Sequence, residues 1–280
     1  MKPAAFEMHR PRTLAEALDM LDRHGEEARL IAGGQSLVPM MNLRIAAPPI
    51  LIDLNSVAGL GGIRRDDDTV RIGTATRLQD LIDSEIVRAH ASLLAMAARH
   101  TGHYSIRSRG TVGGNLCHAD PASELVLAAL TLRAEVTLRG KHGERVLPAQ
   151  AFFRDALTTA IEPGEILTEL KVPVAPAGAK AAFREHARRA GDFAIAAAAA
   201  LRLPGSGGLH VALGAVTPVP IPCRRIEDSF RAGRLTGEIG ALVAAELAGL
   251  EPIADIRSSA SYRRKLASVC LADCVTEALA

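Results

Sequence analysis

The hydrophobic pattern over residues 1–56 switches between the periods of strands and of helices. Leu14, Leu18 and Leu21 recur at helical spacing, Thr13 opens a capping-box pattern with Glu16, and Gly25 ends the helix. A second short helix is predicted over residues 37–43. Short apolar runs predict strands at residues 6–9, Ala28–Ile31 and Ile50–Asp53. Residues 1–56 are therefore predicted to form one β-α-β-α-β subdomain.

Residues 57–175 have a mixed pattern that predicts a second subdomain. Residues 59–68 are polar and glycine-rich and read as a connection. Thr76 is a candidate N-cap for a helix over residues 78–82. Further helices are predicted at residues 90–99 and 122–130, and strands at residues 70–73, 135–139 and 166–172.

The pattern changes again after a linker at residues 173–179, so residues 178–280 are predicted to form a third domain. Strands are expected at residues 180–186, 193–203 and 209–216, and helices at residues 225–231, 237–248 and 258–279. The alanine run at residues 196–200 favours helix by propensity, but its short length and hairpin-like flanks favour a strand, which we predict. Cys270 and Cys274 are predicted to share one packed face of the last helix.

Composition and charge exclude several functions. The chain has 33 basic and 31 acidic residues, a net charge of +2, 3% aromatic residues and no tryptophan. This balance argues against nucleic-acid binding. We expect no signal peptide, and we expect no membrane span because no apolar run is long enough. The four cysteines have no metal-ligand spacing, so we expect reduced thiols, no metal site and a cytoplasmic location.

Two glycine pairs carry the candidate chemistry. The first follows a predicted strand, and the second lies about eighty residues later; their residues are Ala32, Gly33, Gly34, Gln35, Ser36, and Thr111, Val112, Gly113, Gly114, Asn115. Glycine pairs allow sharp turns that expose consecutive N–H groups, which bind anions. Neither pair contains a lysine, and no G-x-G-x-x-G or P-loop motif occurs. Two such loops indicate one shared diphosphate, although either could be a structural turn.

The residues around these loops are similar to those of a known family. Residues 31–37, 73–76, 106–124 and 183–195 resemble the FAD-binding (medium) subunit of molybdenum hydroxylases, which include the carbon monoxide dehydrogenase and xanthine dehydrogenase flavoproteins. The most specific stretches are AGGQS at residues 32–36 and IRSRGTVGGNLCHADPASE at residues 106–124. Residues 259–266 resemble the closing helix of that family, so the resemblance covers nearly the whole chain.

The resemblance implies an α+β fold of the vanillyl-alcohol-oxidase-like (PCMH-type) FAD-binding class. Two FAD-binding subdomains, residues 1–56 and 57–175, would hold FAD between them. Residues 178–280 would form the C-terminal domain of the medium subunit, with a three-stranded sheet and helices.

The resemblance also implies which residues contact FAD. Main-chain N–H groups from Ala32 to Ser36 would bind the pyrophosphate with Leu37 packed nearby, and Thr111, Gly113, Gly114 and Asn115 would complete that contact. Thr74 and Thr76 would form a small polar turn near the cofactor. Ile166 or Leu167 would lie against the ring system. Arg184 would take the position where the family often has lysine.

Three assignments remain open between two roles. Glu124 aligns with an acidic residue that contacts the adenosine part, but Asp120 competes with it, or Asp120 only caps the helix after Pro121. His118 could assist proton uptake by a flavin or be a hydrogen-bonded loop residue. Tyr104 could stack on the cofactor, but we predict that it fills core.

The function implied is electron transfer. FAD would accept electrons from [2Fe–2S] clusters of a partner and pass them to an external acceptor. A large molybdopterin subunit and a small iron–sulfur subunit would complete a heterotrimer or its dimer, with molybdopterin and [2Fe–2S] only on those partners. No residue of this chain is expected to act on the organic substrate. The alternatives are a stand-alone FAD-dependent oxidoreductase and a non-catalytic scaffold whose glycine loops are turns.

Overall fold

The computed structural model describes residues 2–235 and 239–280. Its first sheet lies near the N-terminus and is parallel. Strands β1, β2 and β3 pair in the order β1-β3-β2. Short 3-10 turns at Gly25–Glu27 and Leu54–Ser56 adjoin β2 and β3. The elements, in chain order, are β1 (Glu7–His9), α1 (Leu14–His24), β2 (Ala28–Ile31), α2 (Leu37–Asn42) and β3 (Ile50–Asp53). The predicted β-α-β-α-β order is confirmed.

The second sheet is antiparallel, with five strands in the order β4-β5-β10-β6-β7. Its strands are β4 (Ile63–Asp66), β5 (Thr69–Gly73), β6 (Glu135–Gly140), β7 (Gly143–Pro148) and β10 (Ile166–Pro173), while β8 (Phe153–Asp155) and β9 (Thr158–Thr159) pair separately. The accompanying helices are α3 (Leu78–Asp83), α4 (Glu85–His90), α5 (Ser92–His100), α6 (Tyr104–Arg107), α7 (Val112–His118), α8 (Glu124–Thr131) and α9 (Ala149–Phe152).

Several of these elements escape the sequence pattern. Strand β4 lies in the stretch predicted as a connection, because its residues 64–66 are exposed and therefore carry no apolar pattern. Strands β7 to β9 and helices α4, α6 and α9 are also short or largely exposed. Their local propensity is too weak to be read without the neighbouring strand or helix that stabilises them.

The third sheet is antiparallel with the order β11-β12-β13-β14, and helices pack on both of its faces. The three predicted strands are present, and a two-residue strand, not predicted, extends the sheet. These elements are β11 (Lys180–His186), β12 (Ala196–Arg202), β13 (Leu209–Gly214), β14 (Ile221–Pro222), α10 (Arg224–Arg231), α11 (Ile239–Leu247) and α12 (Ala260–Leu279). The predicted start of the second helix at Gly237 lies outside the described residues.

Strand β12 is buried on both faces. Ala197 and Ala199 pack with the core that includes α5 and α8, while Ala196, Ala198 and Ala200 pack with the core under α12. Small side chains let helices approach the sheet closely from both sides, so packing overrides the helical propensity of alanine.

Helix α12 is anchored to this sheet by its polar groups as well as by apolar packing. The thiols of Cys270 and Cys274, both buried, lie 3.5 Å and 3.4 Å from the carbonyl oxygens of Ala196 and Ala182. The single packed face predicted for the two cysteines is confirmed. Within residues 2–235 and 239–280, no helix combines the length and apolar character needed to cross a membrane.

Candidate functional site

The first glycine pair forms the turn from β2 to α2. Gly34 has a φ of +71°, which a residue without Cβ adopts at no steric cost. The Gln35 side chain donates to the carbonyl oxygen of Gly33 at 2.9 Å and so stabilises the turn from within. In the described part of the chain, the N–H groups of Gly33, Gly34, Gln35 and Ser36 have no hydrogen-bond acceptor. These four donors are therefore available to an anion, as the sequence predicts for a main-chain anion site.

The second glycine pair is built differently. It is not a loop after a strand but the first turn of α7, for which Thr111 is the N-cap. The N–H of Gly113 donates to the carbonyl oxygen of Thr74 at 2.8 Å, and the N–H of Gly114 donates to Oγ1 of Thr111 at 3.1 Å. The N–H of Asn115 donates to the carbonyl oxygen of Thr111. The expectation that both loops have the same design is therefore wrong. The available main-chain donors are those of the first loop.

The two glycine pairs lie against each other. A Cβ atom at Gly33 would overlap the carbonyl of Arg109 and come within 2.7 Å of the Cα of Gly110. A Cβ atom at Gly114 would lie 3.9 Å from the Cβ of Ala32. The fold therefore brings together the two loops that the sequence places about eighty residues apart.

The four glycines have four different roles. Gly33 permits the close approach of the two loops, and Gly34 permits the left-handed turn. Gly113 packs on Thr74, where a Cβ atom would overlap the threonine side chain. Gly114 is exposed, and a Cβ atom there would meet only Thr111 and Ala32 within 4 Å. Gly114 is therefore the one of the four whose missing side chain leaves space for a ligand.

Two residues not singled out from the sequence connect the loops. Asn55 donates to the carbonyl oxygen of Ala32 at 2.7 Å, and Arg77 donates to Oδ1 of Asn55 at 2.8 Å. The same arginine donates to the carbonyl oxygen of Arg109 at 2.5 Å. This bridge fixes the distance between the loops. Asn55 lies in the 3-10 turn that follows β3, and Arg77 is the N-cap of α3, so position along the chain is their one signal in the sequence.

Thr74 and Thr76 lie beside the second glycine pair, but both are buried. Oγ1 of Thr76 exchanges hydrogen bonds with the backbone of Gly62 at 3.0 Å. The N-cap of α3 is Arg77 rather than Thr76, so that prediction is wrong. The main-chain carbonyl of Thr76 accepts from the N–H of Val112, and that of Thr74 accepts from the N–H of Gly113. These two hydrogen bonds hold α7 in place.

Glu124 and Asp120 are now distinguished by their surroundings. Asp120 accepts from the N–H of Ala122 at 2.8 Å, as a residue that shapes the turn before α8 does. Glu124 is buried, and its Oε2 accepts from the hydroxyl of Thr101 at 2.8 Å. Burial is the main cause that raises the pKa of Glu124 to about 7. The side chain of Asn115 accepts from Ser123, the neighbour of Glu124, at 2.6 Å, so this carboxyl adjoins the second loop.

His118 lies next to Asp120, whereas Tyr104 lies at the surface. Nε2 of His118, the last residue of α7, lies 4.0 Å from a carboxylate oxygen of Asp120, which gives this half-buried ring a local ion-pair partner when protonated. Tyr104 is 65% exposed, so the prediction that it fills core is wrong. Its position in the one-turn helix α6 turns the ring away from the core.

The remaining candidates lie in strands. Ile166 and Leu167 point to opposite faces of β10 and are buried in different cores, Ile166 against α1 and Leu167 among the central helices. Arg184 is exposed on β11 and pairs with Glu277 of α12 at 2.9 Å. Its neighbour Glu185 lies on the other face, near His100 of α5. Contacts of Ile166, Leu167 and Arg184 with a cofactor therefore stay predictions.

The residues present fit a dinucleotide such as FAD. A diphosphate needs several donors without strong competing acceptors, and the first loop supplies four N–H groups. Close approach needs a surface without side chains, and the exposed Gly114 supplies it. Sugar hydroxyls need acceptors, and the carboxyl of Glu124 is one.

Comparisons with known proteins identify the family of this chain. Residues 4–175 match the family model described as the FAD binding domain in molybdopterin dehydrogenase, and residues 181–278 match the CO dehydrogenase flavoprotein C-terminal domain. The chain is 38% identical over 273 residues to the 6-hydroxypseudooxynicotine dehydrogenase complex subunit alpha of Paenarthrobacter nicotinovorans, covering 95% of this chain and 92% of that one. It is 36% identical over 274 residues to the carbon monoxide dehydrogenase medium chain of Hydrogenophaga pseudoflava, with 95% and 94% covered.

Solved structures show the same relationship. The fold matches carbon monoxide dehydrogenase from Hydrogenophaga pseudoflava with a TM-score of 0.93 and 35% identity, covering 100% of this chain and 99% of that chain. Quinoline 2-oxidoreductase from Pseudomonas putida 86 matches with a TM-score of 0.92 and 31% identity, with 100% and 99% covered. This chain belongs to the FAD-binding flavoprotein subunits of the molybdenum hydroxylases, which are oxidoreductases of several subunits.

Proposed function

We propose that this subunit binds FAD in the groove between the two glycine pairs and relays electrons from [2Fe–2S] clusters of a partner subunit to an external acceptor. The carrying observation is that four N–H donors of the first loop, which have no acceptor among the described residues, lie next to the exposed Gly114 of the second loop. The pyrophosphate would take the donors from Gly33 to Ser36. FAD, when bound, supplies the ability to accept electrons singly or in pairs.

The protein's own residues bind and orient in this proposal. Asn55 and Arg77 keep the two loops at a fixed separation, and Thr111 holds the first turn of α7. Glu124 would accept from sugar hydroxyls, while Asp120 shapes the turn before it. His118, beside Asp120, is placed where a ring could exchange a proton with solvent.

The family assignment supports partner subunits, and we propose their number and kind. Relatives are named as a medium chain, a subunit alpha and a subunit beta of dehydrogenases. We propose a heterotrimer, or its dimer, with a large molybdopterin subunit and a small iron–sulfur subunit. A cytoplasmic location is proposed from the four free cysteines, which suit a reducing compartment.

Three units are proposed as domains. Residues 1–56 contain the parallel sheet, residues 57–175 contain the five-stranded sheet, and residues 178–280 contain the third sheet with α10 to α12. The separate hydrogen-bonded sheets support these bounds.

A titration of the FAD-free full-length chain with FAD tests the proposal. We expect one FAD to bind and its absorbance spectrum to change. Substitution of Gly114 by Leu should abolish uptake, because the side chain would fill the open surface, while Gly240→Leu in the exposed part of α11 should not. FAD binding that is unaffected by Gly114→Leu would exclude this groove. Turnover of an organic substrate by the isolated holo-chain would instead favour the stand-alone oxidoreductase.

A further inference from the structure

Two glutamates with buried side chains adjoin the consecutive residues His100 and Thr101, where the third sheet packs on the central helices. Glu185 is on β11, on the face that carries Phe183, whose ring lies 5.0 Å from that of His100 in α5. Glu124 is the first residue of α8 and accepts from Thr101, the residue after His100. His100 therefore adjoins the Glu185 carboxyl, and the next residue, Thr101, adjoins the Glu124 carboxyl.

One of these carboxyls lacks a donor. The Glu185 side chain is 5% exposed, and its Oε2 is buried without a hydrogen-bond partner within the described residues. Nδ1 of His100 lies 3.9 Å away, which is too far for a hydrogen bond. A buried acceptor left unpaired is destabilising, and a charged one more so. A ligand that donates a hydrogen bond to Oε2 of Glu185 would therefore remove this cost.

The charges around Glu185 do not compensate for its burial. Helix α8 and the turn before it contribute Glu124 and Asp120, and α5 contributes His100, whose pKa is lowered by burial and then by Arg184. Arg184, on the strand of Glu185, points to the opposite face and pairs with Glu277. Helix α12 contributes Cys270, whose pKa is raised to about 12, chiefly by burial.

The result is a pair that retains a proton near neutrality. Burial first, and the charge of Glu124 second, raise the pKa of Glu185 to about 8. The pKa of Glu124 is raised to about 7, chiefly by burial. Two buried carboxyls that interact in this way titrate as a coupled pair.

The pair adjoins the groove through a short chain of contacts. Asn115 of the second glycine pair accepts from Ser123, which directly precedes Glu124. A dinucleotide in that groove would bring its sugar hydroxyls, which are hydrogen-bond donors, to this end of α8.

We propose that Glu185 is a second cofactor-binding carboxyl, which with Glu124 accepts hydrogen bonds from sugar hydroxyls of FAD and releases a proton to solvent when FAD binds. The inference rests on the proposed placement of FAD between the glycine pairs. The hydroxyl donates to a carboxylate oxygen, the carboxyl O–H proton leaves to water, and no covalent bond to FAD forms. Charge-assisted hydrogen bonds are about twice as strong as neutral ones, which favours the ionised pair in the complex.

Calorimetry of FAD binding to the FAD-free full-length chain tests this. Titrations at pH 7 in two buffers of different ionisation enthalpy count the protons exchanged. We expect net release, and a Kd for FAD that falls from pH 6 to pH 8 by up to about tenfold per pH unit for one proton. In Glu185→Gln the release should fall and the Kd at pH 8 should rise about tenfold. At pH 6, where the native pair is protonated, the two Kd values should converge.

Glu246→Gln is the matched control, because Glu246 is a half-buried carboxyl of raised pKa in α11, away from the groove, and burial is the main cause of its shift. It should leave the proton count unchanged. Binding without proton release, binding with proton uptake, or an unchanged proton count in Glu185→Gln would each overturn the inference. The count on the unmodified chain stands even if the variant does not fold. Failure of the proposed FAD site in the groove would be detected separately, because FAD uptake would then be insensitive to Gly114→Leu.

Discussion

Gly33 packs so closely on Arg109 that a Cβ atom would overlap the arginine's carbonyl oxygen, and Gly110 blocks the same space at 2.7 Å. Both obstacles are backbone, so neither can rotate away. Gly33 therefore sets the distance between the loops that form the groove, and the first prediction follows from this contact.

Gly33→Ala should separate the two loops. We expect a loss of about 1–3 kcal/mol in the free energy of unfolding, the usual cost of overpacking, together with weaker FAD binding. Gly114→Ala is the contrast, since it lies in a helical turn and meets only the Thr111 hydroxyl at 2.8 Å and Ala32 at 3.9 Å. Because the nearest obstacle is a side-chain hydroxyl rather than backbone, Gly114→Ala should lose less stability than Gly33→Ala and should also lose affinity for FAD. Chemical unfolding and FAD titration of both variants measure the difference, and equal stability losses would contradict it.

Asn55→Ala should loosen the bridge between the loops. The substitution removes the donor to Ala32 and the acceptor for Arg77, and leaves the Arg77 guanidinium with one partner fewer. We expect a stability loss of about 1–2 kcal/mol and a higher Kd for FAD. The exposed Gln150→Ala should change neither quantity. If Asn55→Ala binds FAD with native affinity, the bridge does not set the groove.

Glu124→Gln should stabilise the FAD-free chain above about pH 5 and have little effect below it. Burial is the main cause that raises the pKa of Glu124 in the folded chain to about 7, from 4.5 in a model compound. The folded state therefore holds a proton that the unfolded state has lost, so stability falls as the pH rises from about 4.5 to 7. Glutamine cannot ionise, so the variant should avoid this loss.

Unfolding at pH 5 and pH 8 measures the effect. The gain at pH 8 should be about 1–3 kcal/mol, since one pKa unit corresponds to about 1.4 kcal/mol, and it should be small at pH 5. Glu165→Gln serves as the opposite control. The pKa of Glu165 is lowered, first by its hydrogen bond from Arg145, so that variant should lose stability above pH 5.

Arg263→Met should destabilise the third sheet and its helices. The guanidinium is fully buried and donates to the carbonyl oxygens of Ile195 and Ala215 at 2.7 Å and 2.6 Å, next to Asp255 at 3.0 Å. Without it, two carbonyls and a carboxylate lose their partner, which costs about 3–5 kcal/mol. Thermal unfolding measures the loss. Arg264→Met, at a half-buried neighbour that bonds to Leu247 and Leu250, should cost less.

Local pattern was sufficient for part of the fold. The capping residue Thr13, the helical spacing of Leu14, Leu18 and Leu21, and the strand that runs into Gly33 all act over a few residues, and each lies in the predicted element. Strand β4 could not be recognised, because it is exposed and is ordered by its partner β5. The alanine strand β12 was recognised from its flanks, although its stability comes from helices packed on both faces.

The sequence by itself determined the order of the main elements, the two glycine pairs and the family resemblance, because these depend on residue type and on spacing along the chain. Only the tertiary structure decided how the pairs differ. It placed Thr74 and Thr111 as acceptors for the N–H groups of Gly113 and Gly114, and gave the N–H groups of the first loop no acceptor within residues 2–235 and 239–280. It also buried Glu185 near His100 and turned Arg184 towards Glu277. Such contacts join residues far apart in the chain, and the free energy of each depends on burial and on neighbouring charge, which a linear pattern does not contain.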